Sequence, residues 1–393
     1  MRILLVTPYY IPAWGFGGPV KVVSDLALAL KKLDHDVTVA TTDILDQHHR
    51  IPKHTDVIDG IPVYYFRNWS TTAAFRWNVY TPRNFSKWLE EHVTEFDVIH
   101  CHDFYTSLNV TVSRVAKRAG VPYLVQPHGA LIPIRSTARF SWFKRVWLII
   151  HARVLRDASK VIASTTLEQQ EIHDFQGVDF SRLACIPNGL SAASVGRPVA
   201  NPTVRKQFGI HSNEHVILYF GRIQYIKGID ISLRSLALLK DLAWKFIIVG
   251  RDDGQKAILE KLAKELGISQ RVIFVGQKFG QALDKCIGIS DVFLFNSRSE
   301  SFPIAVLNAC AAGLPVVLSP ECRVPEVEDF GAGIVLAQNS PECTAEAIRA
   351  IIPDARRRDV MSAAGLRLIR QKFSLEKVVS QYVKVYDVVR HPA

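Results

Sequence analysis

Short apolar segments rich in β-branched residues alternate with longer amphipathic segments along almost the whole chain. A short apolar run bounded by turn residues is typical of a strand buried on both faces. Apolar residues that recur every three or four positions are typical of a helix with one face packed against a core. The regular alternation of the two patterns predicts repeated β-α units around parallel sheets.

The predicted units form two series. Strands are predicted at residues 3–6, 37–40, 98–100, 123–125 and 161–163 in the first series, and at 216–220, 246–249, 272–275, 292–295 and 316–318 in the second. The clearest helix is predicted over 19–33, and a last amphipathic helix over 375–389. A stretch rich in Gly, Ser, Ala and Pro at about 188–202 interrupts the alternation and indicates a domain junction. Two parallel α/β domains in one chain indicate a ligand held in a cleft between them.

The chain has 393 residues, of which 48 are Lys or Arg and 37 are Asp or Glu, so its formal net charge is +11. This charge favours acidic partners such as phosphorylated small molecules, anionic membrane surfaces or nucleic acids. No helix-turn-helix, zinc-finger or RNA-binding signature accompanies it, so we expect no nucleic-acid partner. The 6 cysteines are scattered without metal-ligand spacing, which is typical of reduced thiols in a cytoplasmic protein. The apolar runs are too short for a signal-peptide core or a membrane span.

Two cations follow the first strand of the second series. The strand at 216–220 continues into a loop from Gly221 to Gly228 that carries Arg222 and Lys227. At the carboxyl end of a strand two cations can converge on a diphosphate, while glycines let the backbone approach it. The alternative is a solvated loop with two surface cations.

A polar loop after the strand at 292–295 carries Glu300 and leads into a helix. Pro303 suits the first turn of that helix. Free N–H groups at a helix start can bind sugar hydroxyls or phosphate oxygens, and Glu300 can accept hydrogen bonds from sugar hydroxyls. Asn308 lies two turns further along, on a nearby face. The alternative is that Glu300 is a helix-capping carboxylate.

The order of these features resembles the retaining glycosyltransferases of family 4, also called group 1 glycosyltransferases. The matching parts are the opening strand with Gly17-Gly18, Pro127-His128-Gly129, Ile186-Pro187-Asn188-Gly189, Gly221-Arg222 with Lys227-Gly228, and the Glu300 segment ending in Gly313-Leu314-Pro315. The resemblance implies the α/β architecture called GT-B, with two Rossmann-like parallel-sheet domains facing each other across a cleft. It implies an acceptor-binding domain over 1–195, a nucleotide-sugar donor-binding domain over 196–374, and a C-terminal helix over 375–393 that packs back on the first domain.

In that family two cations after the first strand of the second domain bind the diphosphate of the donor, which implies this role for Arg222 and Lys227. The family also has two glutamates separated by seven residues, one contacting the donor sugar and the other the ribose. Glu300 matches the first, but Asn308 stands in place of the second. An amide lacks a carboxylate's strong acceptance from two ribose hydroxyls, so this departure weakens the expected nucleotide affinity.

The resemblance implies catalytic roles for four residues: His128, Arg222, Lys227 and Glu300. The expected donor-binding residues are Gly17, Gly18, Arg222, Lys227, Glu300, Ser301, Phe302, Pro303, Ile304 and Asn308. His128 is expected beside the donor sugar, where it can stabilise developing positive charge or orient hydroxyls. The alternative is a buried histidine that satisfies a backbone carbonyl. Gly17 and Gly18 are expected to bring backbone N–H groups to the phosphates or the acceptor, although their segment does not match GxGxxG.

The reaction implied is transfer of a sugar from a nucleoside diphosphate sugar to an acceptor hydroxyl with retention of the anomeric configuration. Arg222 and Lys227 are expected to stabilise the leaving diphosphate in place of a metal, each contributing about 3 kcal/mol in the transition state. No cofactor is expected beyond the nucleotide-sugar co-substrate. Two alternatives remain: a nucleotide-sugar epimerase of the same fold, and a sugar-nucleotide-binding protein without turnover.

The first domain carries a further polar cluster at 100–103. Adjacent strand residues point to opposite faces, so this cluster is not expected to share a metal ion. His102 and Asp103 are instead predicted on a loop that faces the cleft and the acceptor.

The segment 135–160 is basic, with the single acid Asp157, and is interleaved with aromatic residues. This composition suits contact with an anionic membrane surface and a lipid-linked acceptor. The alternative is an ordinary amphipathic helix with its aromatic residues in the core. The expected location is cytoplasmic, with a peripheral position at the inner face of the cell membrane left open. The resemblance suggests bacterial polysaccharide, lipopolysaccharide or other glycolipid biosynthesis.

Overall fold

The computed structural model describes residues 1–77, 79–131, 151–191 and 195–391. The chain divides into two compact units, Met1–Gly189 with Leu375–Ala393, and Leu190–Ser374. The first boundary therefore lies at Gly189, whereas the sequence analysis placed it after residue 195.

The first unit is built on a parallel sheet with one antiparallel edge. Its strands are β1 (Arg2–Val6), β2 (Asp36–Thr42), β3 (Thr55–Ile58), β4 (Ile61–Phe66), β5 (Val98–His102), β6 (Tyr123–Gln126), β7 (Lys160–Ala163) and β8 (Leu183–Cys185). Among the described residues their order is β3-β4-β2-β1-β5-β6-β7-β8, and only the β3–β4 pair is antiparallel. The accompanying helices are α1 (Gly18–Lys32), α2 (Thr71–Trp77), α3 (Phe85–His92), α4 (Ser107–Ala119) and α5 (Thr166–Gln176).

The second unit is built on an all-parallel sheet. Its strands are β9 (His215–Phe220), β10 (Trp244–Val249), β11 (Val272–Gly276), β12 (Val292–Phe295), β13 (Val316–Leu318) and β14 (Gly333–Val335), in the order β11-β10-β9-β12-β13-β14. Its helices are α6 (Pro202–Gln207), α7 (Ile229–Ala237), α8 (Lys256–Glu265), α9 (Gln281–Gly288), α10 (Ile304–Ala311), α11 (Glu326–Asp329), α12 (Pro341–Ile351) and α13 (Ala355–Lys372).

The last helix, α14 (Leu375–Arg390), belongs to the first unit. Its buried residues Val378, Val379, Tyr382 and Tyr386 pack into the core beside the central strands. The Tyr386 hydroxyl lies 2.8 Å from Nδ1 of His100 on β5, and the Tyr382 hydroxyl donates to Oε1 of Gln126 on β6 at 2.9 Å. Helix α14 is thus tied by buried polar contacts to β5 and β6. In the part of the chain described, none of the helices is both long enough and apolar enough to cross a membrane.

The central strands are apolar and buried because helices cover both faces of each sheet. Residues 3–6 of β1 and 216–220 of β9 are all buried, which explains why continuous apolar runs identified them. All ten predicted strands are confirmed, and their ends differ from the predicted ones by at most two residues. Four strands were not predicted: β3, β4, β8 and β14. The hairpin β3–β4 turns at Asp59-Gly60, both at positive φ (52° and 75°), a dipeptide that is itself a strong hairpin signal.

Each sheet has a point where the strand order reverses direction. In the second unit it lies between β9 and β12, and in the first between β1 and β5. Loops that leave the carboxyl ends of such neighbouring strands diverge to opposite faces and leave a crevice, where ligands of open α/β sheets bind. The candidate residues of both units lie at the end of the strands at these points or come after them, except His128, which follows the neighbouring strand β6.

Candidate functional site

The loop after β9 is held close to β10 by glycines. A Cβ on Gly250, directly after β10, would lie 1.7 Å from the carbonyl oxygen of Gly221, so only glycine fits there. The Tyr219 hydroxyl donates to the carbonyl oxygen of Arg222 at 2.8 Å. The Arg222 side chain remains 47% exposed, with Nη1 3.3 Å from Oδ2 of Asp253. Its guanidinium is thus available at the carboxyl edge of the sheet.

Lys227 ends a 3₁₀ turn and points toward the loop after β12. The next residue, Gly228, has φ of 64°, and a Cβ there would lie 1.9 Å from the carbonyl oxygen of Asn296. This close approach brings the two loops together. The Lys227 ammonium forms an ion pair with Oε1 of Glu300, and these side chains are 14% and 7% exposed. The Lys227 Nζ also lies 5.5 Å from the centre of the Phe295 ring.

Glu300 is fixed by its own loop. Its carboxylate accepts a hydrogen bond from the Ser297 hydroxyl at 2.8 Å, and its backbone N–H donates to the carbonyl oxygen of Glu321 at 3.1 Å. Removing either Lys227 or Glu300 would leave the other as an uncompensated buried charge, which is strongly destabilising. The pair therefore forms a preorganised, partly dehydrated charge site at the reversal point of the sheet.

Arg298 ties the loop of Lys227 to the loop of Glu300. Its guanidinium donates to both carboxylate oxygens of Asp230, at 2.8 and 2.7 Å, and lies 4.1 Å from the centre of the Tyr225 ring. It also donates to the carbonyl oxygen of Tyr225 at 2.7 Å. A bidentate, stacked arginine orders both partners. No role was predicted for Arg298, because a single charged residue in a polar loop carries no sequence signal that could reveal this contact.

Helix α10 begins beside Glu300. Pro303 occupies the position just before its first helical residue, Ile304, rather than the first turn. Phe302 is buried and packs edge-on against Phe373, which anchors the segment. Ser301, Ile304 and Asn308 are half-buried. Ile304 and Asn308 are four residues apart and so share a face of the helix.

Gly17 and Gly18 connect β1 to α1 in the first unit. Gly17 precedes the helix with φ of 82°, a conformation that strains any residue with a side chain, and Gly18 is the first helical residue. The preceding turn is fixed by Phe16, whose ring stacks on Tyr9 with centres 4.6 Å apart. The structure thus gives a conformational reason for Gly17 at the reversal point between β1 and β5.

His128 follows β6 in a tight turn with φ of 50°. The turn is held by Glu168, which is 1% exposed and accepts hydrogen bonds from the N–H groups of Gly129 and Ser164, both at 2.7 Å. Glu168 was missed by the sequence analysis. Thr165 and Glu168 do form the Thr-x-x-Glu pattern of a capping box at the start of α5, and the Thr165 hydroxyl accepts from the Glu168 N–H at 3.0 Å. That pattern could have marked Glu168 as a structural carboxylate.

His102 is the last residue of β5, not part of a loop as predicted, and is 1% exposed. Its Nδ1 lies 3.0 Å from Nε2 of His128, and the two rings are nearly parallel, at 15°, and meet edge to edge. Burial lowers the pKa of His128 to about 4 and that of His102 well below its ordinary value. Both rings are therefore neutral near neutral pH, and His102 contacts His128 directly.

Asp103 begins the loop after β5 with φ of 68°. Its carboxylate accepts a hydrogen bond from the Tyr9 hydroxyl at 3.1 Å, and from the N–H of Phe104 at 2.7 Å. Burial raises the pKa of Asp103, and these hydrogen bonds oppose that effect. Asp103 and Gly17 are thus connected through Tyr9 and its stacked neighbour Phe16. Of the basic segment predicted to contact a membrane, residues 135–150 lie outside the described residues.

The stability of the first unit is expected to fall as the pH drops below about 6.5. Histidines of the unfolded chain take up a proton near pH 6.5. Burial among His102, His128, Tyr382 and Tyr386 holds the pKa of His100 at about 3, so the folded state stays unprotonated there. The unfolded state binds the extra proton, and His100 lowers the free energy of unfolding by about 1.4 kcal/mol per pH unit between about pH 6 and pH 4.

Urea unfolding at several pH values checks this expectation. The free energy of unfolding should change with pH more steeply in the wild type than in His100→Leu, by about 1.4 kcal/mol per pH unit between about pH 6 and pH 4. His211→Gln, an exposed position in the second unit, serves as the control and should keep the wild-type slope. Equal slopes for the wild type and His100→Leu would contradict the assignment.

Two family models match this chain. The model described as "Glycosyl transferases group 1" matches residues 200–367, and the model described as "Glycosyl transferase 4-like domain" matches residues 17–189. The matches thus fall separately on the second and the first unit.

One curated relative and two solved structures show the extent of the similarity. An uncharacterized glycosyltransferase of Methanocaldococcus jannaschii is 25% identical, over 99% of this chain and 98% of its own length. Anabaena HepE, solved in complex with UDP-glucose, has a TM-score of 0.76 at 20% identity, covering 98% of this chain and 99% of that chain. WaaG, a glycosyltransferase involved in lipopolysaccharide biosynthesis, has a TM-score of 0.71 at 18% identity. The match covers 98% of this chain and 99% of the WaaG chain.

Proposed function

This chain belongs to the group 1 glycosyltransferases and has the GT-B fold, and from this premise we propose that it transfers a sugar from a nucleoside diphosphate sugar to an acceptor hydroxyl with retention and without a metal. The observation that carries the proposal is the Lys227–Glu300 ion pair, together with the half-exposed Arg222 on the same loop as Lys227. These groups lie at the carboxyl ends of β9 and β12, where the strand order reverses. The complex of the structural neighbour HepE with UDP-glucose supports a donor of this class.

The two cations suit a diphosphate leaving group. Negative charge accumulates on the diphosphate as the bond to the sugar breaks, so fixed cations stabilise the transition state more than the ground state. Arg222 offers a planar fork to two oxygens, and Lys227 offers a point charge. Together they supply the charge that a divalent metal provides elsewhere.

Glu300 changes partner in this scheme. Before the donor binds, its carboxylate compensates the buried Lys227 charge. A bound diphosphate offers Lys227 a second anion, and Glu300 can then accept hydrogen bonds from hydroxyls of the donor sugar. The ion pair thus holds both side chains at the site before the donor arrives, which reduces the reorganisation that binding requires.

Asn308 is proposed to contact the nucleoside. Its amide lies on the helix face shared with Ile304, four residues into α10. An amide can donate to and accept from ribose hydroxyls, with weaker acceptance than a carboxylate. We expect nucleotide affinity to be the property that this residue tunes.

Thermal unfolding with UDP, GDP, ADP and dTDP tests the donor site and identifies the base. A nucleotide present at about one hundred times its dissociation constant should add about 2.7 kcal/mol to the stability. A shift with one nucleotide that is lost in Arg222→Ala supports the proposal. If none of the four raises the unfolding midpoint, the donor-site proposal fails.

Arg222→Ala is expected to lower turnover about a hundredfold with little change in stability, because the side chain acts on the leaving group and is half exposed. Arg349→Ala is the matched control. Arg349 is also 47% exposed and paired with an aspartate, Asp241, and its loss should leave turnover unchanged. Initial rates with the nucleotide sugar identified above provide the measurement, and near-normal turnover of Arg222→Ala would refute the assignment.

The anomeric configuration of the product, read by proton NMR, tests retention, and unchanged rates in EDTA test metal independence. Isomerised nucleotide sugar formed without an acceptor would instead identify an epimerase. Nucleotide binding without any turnover would identify a binding protein.

For the acceptor, only a chemical class is proposed. We propose a sugar or lipid-linked acceptor held by the first unit, where Asp103 lies at the reversal point of the sheet, in the synthesis of a polysaccharide or glycolipid. The role of the structural neighbour WaaG in lipopolysaccharide biosynthesis supports this pathway class.

Cosedimentation with anionic and neutral vesicles tests whether the basic segment 135–160 brings the protein to a membrane. Absence of binding to anionic vesicles at low salt would refute membrane contact by this segment.

A further inference from the structure

We propose that His102 is a positioning residue, whose Nδ1–H donates a hydrogen bond to Nε2 of His128 and so holds His128 in the tautomer that carries its proton on Nδ1. The role of His128 toward a donor sugar rests on the proposed function. The tautomer itself does not, because it follows from contacts within the first unit.

The two imidazole rings are placed to share one hydrogen bond. His102 Nδ1 and His128 Nε2 are 3.0 Å apart, and the rings are nearly parallel, at 15°, with centres 5.3 Å apart. Burial keeps both rings neutral near neutral pH, as shown above. A neutral imidazole has one N–H and one lone pair, so one ring donates to the other and the choice sets both tautomers.

The surroundings of His102 decide the direction. Across the residues that the structure describes, Nε2 of His102 is buried and has no hydrogen-bond partner. If His102 accepted at Nδ1, its proton would sit on Nε2 as a buried, unpaired donor. Buried unpaired N–H groups are rarer than buried unpaired acceptors, because a lost donor interaction is costly. The proton of His102 therefore belongs on Nδ1, and His128 accepts at Nε2.

The ring of His102 is itself held in place. The His100 ring lies against it, with centres 4.1 Å apart, and Nδ1 of His100 contacts the Tyr386 hydroxyl of α14 at 2.8 Å. The backbone of His102 is fixed by its place in β5, between β1 and β6. The hydrogen bond to His128 thus starts from a rigid, buried base, which is what a positioning group requires.

This arrangement determines what His128 can do. With Nε2 occupied as an acceptor, the proton that neutral His128 can offer is on Nδ1. Neutral His128 then has no lone pair left for a further proton, so it cannot act as a general base, and its role toward a donor sugar rests on the proposed function. Its surroundings disfavour the charged form, so any group that His128 contacts meets a dipole and not a positive charge.

Two substitutions separate this role from a packing role. His102→Asn keeps an N–H donor at about the position of Nδ1, because the asparagine amide nitrogen and Nδ1 are the same number of bonds from Cα. His102→Leu keeps apolar bulk and removes the donor. We expect His128 to remain in the Nδ1–H tautomer in His102→Asn and to populate the Nε2–H tautomer in His102→Leu.

Long-range proton–nitrogen NMR of the full chain, labelled with ¹⁵N-histidine and assigned with His128→Gln, reads the tautomer directly. A wild-type His128 protonated on Nε2 would overturn the proposal. So would a His102→Leu spectrum in which His128 keeps the wild-type tautomer. This readout needs no substrate, so it stands or fails separately from the proposed function.

Turnover then tests the consequence. His102→Leu should lower kcat about tenfold, the value of one hydrogen bond in the transition state, with unchanged binding of the nucleoside diphosphate. His102→Asn should keep kcat within about threefold of the wild-type value, a smaller loss than the one expected for His102→Leu. Equal losses in the two variants would assign His102 a packing role and overturn the proposal. Thermal unfolding of both variants confirms that folded proteins are compared.

Discussion

Lys227→Met is expected to lower kcat by about a thousandfold, at the upper end of the range for removing one preorganised group that stabilises an oxyanion. Lys227 is only 14% exposed, whereas Arg222 is 47% exposed. Its charge acts through a less hydrated environment, where electrostatic interactions are stronger. We therefore expect a larger loss than for Arg222→Ala. Steady-state kinetics with the nucleotide sugar identified by thermal unfolding provide the measurement.

Lys245→Met is the matched control for this substitution. Lys245 is 16% exposed and lies 3.8 Å from Glu214, which is 15% exposed. It is placed at the amino end of β10, at the opposite edge of the same sheet. Because Lys245 is about as buried as Lys227 and also has a glutamate partner, Lys245→Met should change the stability but not the turnover. Equal kcat losses at the two positions would show that the site residue acts through stability alone.

A second variant separates catalysis from folding. Lys227→Met leaves the Glu300 carboxylate buried without its cation, at a cost of about 3 to 5 kcal/mol in the free energy of unfolding. The double variant Lys227→Met/Glu300→Gln removes the uncompensated charge and keeps an acceptor for the Ser297 hydroxyl. It should regain most of the stability and none of the turnover. Recovery of turnover would mean that Lys227 matters only as the partner of Glu300.

Gly228→Ala is expected to destabilise the second unit by about 4 kcal/mol and to abolish detectable nucleotide binding. A Cβ at this position would lie 1.9 Å from the carbonyl oxygen of Asn296 and 2.8 Å from its carbonyl carbon. Asn296 cannot yield easily, because its side chain is hydrogen-bonded to Ser232 and Thr344. The loop of Lys227 must move away from the loop of Glu300. Chemical unfolding and calorimetric titration with the nucleoside diphosphate measure the two effects.

Gly267→Ala controls for backbone strain in this experiment. Gly267 has φ of 71°, close to the 64° of Gly228, but a Cβ there would meet nothing within 4 Å. Its substitution should cost only the strain of a left-handed conformation, about 1 to 2 kcal/mol, and should leave nucleotide binding intact. If the two alanine variants behaved alike, the close contact with Asn296 would have no part in the site.

Some of the site was predictable from local pattern. The cations at 222 and 227 were placed at the end of a strand because a buried apolar run followed by a glycine-bounded loop is visible in the sequence. The family prediction is confirmed by models that match both units. The roles of the individual site residues stay predictions that the variants above test.

Other parts of the site could not be predicted. Arg298 and Glu168 were missed because their partners lie on other segments, 68 residues away at Asp230 and 39 residues away at Gly129. His102 was predicted on a loop at the carboxyl end of a strand, facing the cleft and the acceptor. The structure places it inside β5, against His128.

The sequence by itself determined the alternation of strands and helices, the α/β class and the position of each charged loop relative to its own strand. These depend on hydrophobic periodicity and turn residues over a few neighbouring positions. Only the tertiary structure decided that β9 lies beside β12, so that Lys227 meets Glu300 across 73 residues. Strand order and the pairing of buried side chains depend on packing across the whole unit, because any local segment is compatible with several neighbours.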